Sequence, residues 1–473
     1  MKTGLAPLFL VGSPKTITTS QHWFSGSASK ANVQKPSVGT KDIESRLLYY
    51  ALLAVTISTL LTPLGINRTV AAEPPNVQRA KELMQKSRAG EKLTAEEQAY
   101  LDRVRQEIRK RTAGKKGGTA RPSADARSIE VNTKDWSTLV PITDMTAPYK
   151  GEEGGLYGGG HNEPPAAHQA AYMKESARIQ PLDAAGRPAE EGKIGFITIG
   201  FSNPSIESAD FKRVADADPQ KSPRVVIVNG CIGGRSAVMW AWDGADVLPK
   251  AEQERLDQEM DVMHMPKGVR RPSGQAKDTW PTLAKHIEEA GLSPHQVQAC
   301  WLKHVEANPK PLGEFPAHAR ALQQDITAIL QIARYHYPNL RVAYLSSRTF
   351  GGWSGRASGS PEPYAYESGF GTRWIVQSQI KGDPQLNYDP MRGEVKAPLV
   401  LWGPYLWACG NSPRKLDGMR WTLDDVRGDR LHPNENGCKK TTALLLNFLK
   451  TNEGSRQWFL KPGVKAQLTP LPK

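Results

Sequence analysis

Cysteine is scarce in this 473-residue chain, and none of its four copies, Cys231, Cys300, Cys409 and Cys438, forms a CxxC pair. That spacing signals neither a zinc ribbon nor a thioredoxin-like redox pair. Cys231 and Cys300 adjoin apolar, strand-like runs and read as buried thiols. Cys409 and Cys438 both fall in C-terminal segments and are the pair a disulfide would use. A phosphate loop is missing too. The glycine-rich GEEGGLYGGGHNEPP (Gly151–Pro165) has neither the spacing nor the GKS/GKT ending that cradles phosphate. It reads instead as an entry loop bordering a site elsewhere. No cluster of His, Asp and Cys has ligand spacing, so no metal and no cofactor is expected. His161 and His168 read as surface residues.

Only one long uncharged apolar run is present, Leu47–Gly65, preceded by Arg46 and followed by Val70-Ala71-Ala72. Small residues at Val70 and Ala72 suit a cut after Ala72, the layout of a secretory signal; left uncut, the run is long enough for a bilayer anchor. Either way the expected location is extracytoplasmic, with the membrane touched only through this segment. The formal net charge is +14. An excess of this kind suits nucleic acid or an anionic surface, but much of it lies in stretches such as Arg103–Lys116. These read as a solvated basic tether, and no nucleic-acid partner is expected. The predicted organisation is a polar extension (1–45), a signal or anchor (46–72), a charged helical stalk and linker (73–127) and a folded domain (128–473). Within the stalk, Thr94 and Glu97 have the spacing of a capping box. Gly114–Ser128 has linker composition.

In the folded region strands alternate with helices. Lys193–Gly200, Arg224–Asn229, Gln296–Leu302, Arg341–Ser346 and Ala397–Trp402 are short apolar runs. Ala317–Tyr337 carries apolar residues at helical spacing, and an amphipathic helix closes the region over Gly437–Leu449. The pattern predicts an α/β fold with a five-stranded parallel sheet covered on both faces. Sites in such sheets form at the carboxyl ends of strands.

Three strand-end features stand there. GFSN (Gly200–Asn203) puts Ser202 directly after the first strand; it is a nucleophile if a base is within reach, or a helix cap ahead of Pro204 and Glu207. NGCIGG (Asn229–Gly234) follows the second strand, and its glycines allow N–H groups to turn into a cavity, as an oxyanion hole requires; a plain turn is the other reading. In GDRLHPNENG (Gly428–Gly437), Asp429 can accept from Nδ1–H of His432, leaving Nε2 to take the Ser202 proton. No GxSxG elbow surrounds Ser202, so the α/β-hydrolase pattern does not apply. Beyond these, Arg348, Trp353, Tyr364, Tyr366 and Glu367 follow the fourth strand and would line a sugar subsite, or else pack as core aromatics in a long loop.

Together, GFSN, NGCIGG and DRLHPNENG resemble the blocks of the SGNH/GDSL hydrolase superfamily over roughly Lys193–Leu449. GFSN is nearer the GQSN style of its carbohydrate acetylesterase branch. The resemblance implies a flavodoxin-like three-layer α/β/α fold and ester hydrolysis through an acyl-enzyme, with O-acyl groups of a glycan as the candidate substrate. It makes Ser202 the nucleophile and an oxyanion donor, Gly234 a second donor, and Asp429 and His432 the rest of the triad. Asn203, Arg348 and Glu367 would contact substrate. The chain departs from the pattern at Phe201, where Asp is usual before the serine. It departs again at the third block, where Lys303 or His304 stands in place of an oxyanion asparagine. Lys303 would stabilise an oxyanion by charge, or would mark a non-catalytic relative that binds carbohydrate or a surface.

Overall fold

The computed structural model describes residues 130–263, 279–356 and 358–472, with scattered positions between 83 and 100. Two compact units are present, Met1–Arg121 and Pro122–Lys473. In the first, Glu97 Oε2 accepts from the Thr94 N–H at 2.8 Å and Thr94 Oγ1 accepts from the Glu97 N–H at 3.2 Å. This is the reciprocal pair expected of a capping box. The apolar run 47–65 and the cut after Ala72 lie outside the described residues. Among the described residues no helix is long and apolar enough to cross a membrane.

The second unit is built on a sheet of five parallel strands. They are β1 (Ile194–Gly200), β2 (Val225–Asn229), β3 (Val297–Lys303), β4 (Val342–Ser346) and β5 (Leu399–Trp402), in the order β2-β1-β3-β4-β5. Every pairing is parallel, and the order is that of flavodoxin-like sheets. These are the five apolar runs of the sequence, with ends moved by one or two residues. β1, β3, β4 and β5 are buried along their whole length, because helices cover both faces.

Side chains alternate between two cores, as a period of two requires. Ile197, Ile199, Cys300, Leu302, Ala343 and Val400 join one core with α3 (Ala237–Asp243), α4 (Lys250–Val262), α5 (Thr279–Glu289), α6 (Ala317–His336) and α7 (Tyr364–Ile380). Phe196, Ala299, Trp301, Val342 and Leu401 join the other with α1 (Ala166–Ser176), α2 (Ser202–Asp216), α8 (Glu435–Thr451) and α9 (Ser455–Phe459). The closing helix starts where Asn434 caps it, its Oδ1 accepting from the N–H groups of Asn436 and Gly437.

Several expectations need correction. The stretch after β4 is not one long loop: from Tyr364 it is the buried helix α7. Ala365 to Val376 of α7 are all buried, so it lacks the one-faced pattern that marks a surface helix. Tyr366 and Trp407 pack there as core, their rings 4.7 Å apart. His168 is buried, not on the surface, with Nε2 2.8 Å from the Val400 carbonyl; burial holds its pKa below the usual imidazole value. All four cysteines are free and buried, so Cys409 and Cys438 are not paired. The glycine-rich stretch does not border the Ser202 pocket. It binds α7 through Arg373, which reaches the Glu153 carbonyl and the Glu152 carboxylate. Part of it lines a separate open cavity of about 730 Å³.

Gly371 lets α7 lie against α6: a Cβ there would sit 2.7 Å from the Ala319 carbonyl oxygen. Gly371→Ala should therefore cost about 1–3 kcal/mol through overpacking. A urea melt would register this as a lower midpoint with an unchanged slope, and an unchanged midpoint would show that α7 can shift freely.

Candidate active site

The chain leaves β1 upward and enters α2 at once. Gly200 makes this turn possible, since a Cβ there would lie 2.5 Å from the Pro204 ring and 2.6 Å from the Lys303 carbonyl. Ser202 is therefore the first residue of α2, at the carboxyl edge of the sheet. Its N–H is among those without an intrahelical acceptor, at the positive end of a 15-residue helix.

Opposite it comes the loop after β5. Arg430 adopts φ 59°, which folds Asp429 and His432 toward one another. Asp429 Oδ1 accepts from the N–H groups of Leu431 and His432, both at 3.0 Å. Its Oδ2 lies 2.6 Å from His432 Nδ1, and His432 Nε2 lies 2.9 Å from Ser202 Oγ. With Nδ1–H donating to the carboxylate, Nε2 is left to accept from the serine hydroxyl. Burial pushes the Asp429 pKa up, but the hydrogen bonds from the His432 ring and the two backbone amides outweigh it and hold the carboxyl below its ordinary value. The loop is closed by Arg427 N–H to the His432 carbonyl at 2.8 Å and by Asn434 N–H to the Asp425 carbonyl at 3.0 Å.

A third strand tip comes up beside the serine. Ile232 N–H bonds the Gly200 carbonyl and Arg235 N–H bonds the Ile232 carbonyl, so the turn after β2 is tied to β1. The amides of Gly233 and Gly234 stay out of these bonds. Gly234 has φ +76°, in the left-handed region that glycine tolerates, and a Cβ on Gly233 would lie 3.9 Å from Ser202 Cβ. Ser202 and Gly234 share a small cavity of about 70 Å³ with Phe201, Val305, Ala307, Gly359 and Leu431. The lining is mostly apolar, which suits a short acyl chain.

The remaining site expectations are redistributed. Lys303 does not face the cavity. Strand alternation sends it toward α2, where its Nζ bonds both Glu207 oxygens at 2.8 and 2.7 Å, with neither side chain more than 1% exposed. Burial pushes the Lys303 pKa down against the pull of Glu207. His304 points to the other side and packs on Trp240 of α3, its ring buried without a hydrogen-bond partner. Asn203 also lines the cavity; it is buried, its Nδ2 donates to the Leu431 carbonyl at 3.0 Å, joining α2 to the His432 loop, and its Oδ1 has no hydrogen-bond partner. Arg348 lies beneath the cavity wall, where its Nε donates to the Ser360 carbonyl and its guanidinium sits 5.5 Å from the Phe201 ring. Glu367 is in α7, bonded to Tyr149 Oη, Lys150 Nζ and His318 Nε2. Ser202, Asp429, His432 and Gly234 are thus brought together, and Lys303, Arg348 and Glu367 are not. Sequence reasoning missed the cavity walls Val305, Ala307, Gly359 and Leu431. Val305 and Ala307 follow the end of β3 and Leu431 adjoins His432, so position is the only signal they carry.

No family model matches the chain, and no curated protein and no solved structure matches it.

Lys303→Ala would leave the Glu207 carboxylate buried and alone, a loss of about 3–5 kcal/mol. The double substitution Lys303→Met with Glu207→Leu should recover most of it, because both charges leave together. Chemical denaturation of the three proteins decides the point. A single variant as stable as the parent would return Lys303 to the solvent side and reopen its role at the cavity.

Proposed function

We propose that the chain is a serine esterase of the SGNH type, cleaving short acyl esters through an acyl-enzyme. The observation that carries this reading is the unbroken path Asp429–His432–Ser202, with 2.6 and 2.9 Å links between residues from two strand ends. Ser202 Oγ attacks the ester carbonyl while its proton passes to His432 Nε2. The carbonyl oxygen becomes an oxyanion that takes the N–H groups of Ser202 and Gly234. His432 then returns the proton to the departing alcohol. Water repeats the sequence on the acyl group and releases the acid. Asp429 holds the ring in its tautomer and offsets the charge of the imidazolium.

The cavity bears on the acyl half of the substrate: its small, mostly apolar lining favours a short acyl chain. A carbohydrate as the alcohol half rests on the resemblance to the acetylesterase branch, and extracytoplasmic action rests on the 47–65 run. The non-catalytic reading drew on Lys303, and the ion pair with Glu207 accounts for that residue without it.

A fluorophosphonate probe should label the purified full chain once, and mass mapping should place the adduct on Ser202. The chain should also hydrolyse aryl acetate faster than aryl hexanoate. Ser202→Ala should lose both labelling and turnover. Asp429→Asn should retain the fold but lose about 10⁴-fold in turnover, because the ring would adopt the wrong tautomer. A folded parent that takes no probe and turns over no acyl ester would sink the proposal.

A further inference from the structure

A second set of charged groups lies behind the cavity wall, and the triad does not use it. Glu259 of α4, Glu306 in the loop after β3 and Asp325 of α6 each present an oxygen, and these oxygens lie within 4.8 Å of one another. The three residues are 8%, 2% and 0% exposed. Arg255 is the cation beside them. Its Nη1 donates to Glu259 Oε2 at 2.5 Å and its Nη2 to Asp325 Oδ1 at 2.7 Å, and it also serves Glu252 at 2.7 Å. Three ionised carboxylates and one guanidinium leave a buried negative excess, a state that proteins avoid unless a proton or a cation relieves it.

The hydrogen bonds show where relief is needed. Arg255 takes one oxygen of Glu259 and one of Asp325. The other oxygens, Glu259 Oε1 and Asp325 Oδ2, are buried and receive no donor from outside the cluster; the three carboxyls face one another, Asp325 against both glutamates. Glu306 accepts from the Val238 N–H, at 3.2 and 3.4 Å. We propose that Glu259, Glu306 and Asp325 bind one hard divalent cation, of the magnesium, manganese or calcium class, with Arg255 as the outer partner that orients two of the ligands. Ligands held at about 2.0–2.6 Å from one ion stand at most about 4–5 Å apart, which matches the spread of these oxygens. A donor set made only of carboxylate oxygen selects hard ions over zinc or copper. An outer-shell donor fixing the non-ligating oxygen is the usual support of such a site. Without a cation, burial and mutual repulsion push the carboxyl pKa values up, that of Glu259 to about 9, so protons are the competing occupants.

The position gives the ion a task. Glu306 stands between Val305 and Ala307, which line the Ser202 cavity. Val305 accepts from the Ala237 N–H and Ala307 from the Gly359 N–H. A cation on Glu306 would pin this wall to α4 and α6.

The full chain, dialysed against a chelator, should take up one Mn²⁺ per molecule by electron paramagnetic resonance, with Ca²⁺ and Mg²⁺ as competitors. Its thermal midpoint should fall on chelation and return with the ion. Asp325→Asn and Glu259→Gln should each weaken uptake at least tenfold, while Glu252→Gln should keep it. The stoichiometry and melting of the parent decide the matter even if a variant fails to fold. Two results overturn the site: a chelated parent that melts unchanged and takes up none of the three ions at millimolar concentration, or equal uptake in folded Asp325→Asn. Either assigns the cluster to protons. None of these measurements uses esterase activity, so the failure of this proposal and of the esterase proposal are separable.

Discussion

The site depends on the strand order reversing at β1. The chain leaves β1 for β2 on one side and returns to β3 on the other, so the loops above β1 diverge and leave a crevice. Ser202 falls in that crevice because it is the first residue after the strand and its turn. Gly234 arrives from β2, Val305 and Ala307 from β3, Gly359 from beyond β4, and Leu431 and His432 from beyond β5. Five strand ends thus meet above one crevice. Any of them would be an ordinary turn alone; the parallel order makes them a site.

Two polar links keep the assembly in register. Asn203 holds α2 to the triad loop through the Leu431 carbonyl, one residue before His432. Lys303 holds the end of β3 to Glu207, a turn and a half along α2 from the serine. The first fixes His432 relative to Ser202. The second fixes α2 relative to the sheet. A misplacement of about 1 Å can cost a catalyst on the order of 10²-fold, so groups that never touch substrate still bear on the chemistry.

These links also mark what the sequence made legible. The five strands could be read because strands buried on both faces become continuous apolar runs, and Ile194–Gly200 is such a run. Asp429 and His432 could be read because their relation is local, three residues apart on one loop. Lys303 could not be placed by motif alignment, because its partner lies 96 positions earlier on another element. Strand alternation carried the missing hint: Ala299 and Trp301 face the α2 side, and Lys303 shares their parity. The helix α7 escaped because burial on nearly all sides removes the amphipathic pattern. The acidic cluster escaped because Glu259, Glu306 and Asp325 come from three elements with no shared spacing.

The segment from Lys303 to Ala307 explains why the usual asparagine has no counterpart here. Its side chains alternate in destination. Lys303 turns to Glu207, His304 packs on Trp240, Val305 lines the cavity, Glu306 joins the acidic cluster and Ala307 lines the cavity again. The residues facing the reacting centre are apolar, and the polar ones anchor the segment to helices on both faces. Asn308, next in line, does not reach the cavity lining. In the proposed reaction an oxyanion on Ser202 would rely on the backbone donors of Ser202 and Gly234, since the β3 end offers the cavity only Val305 and Ala307. Backbone amides held by a helix start and a tied turn are preorganised and need not reorient as charge develops. In this chain the segment after β3 is a wall braced by buried charges, and under the proposed esterase reading the oxyanion would fall to backbone donors beside Ser202.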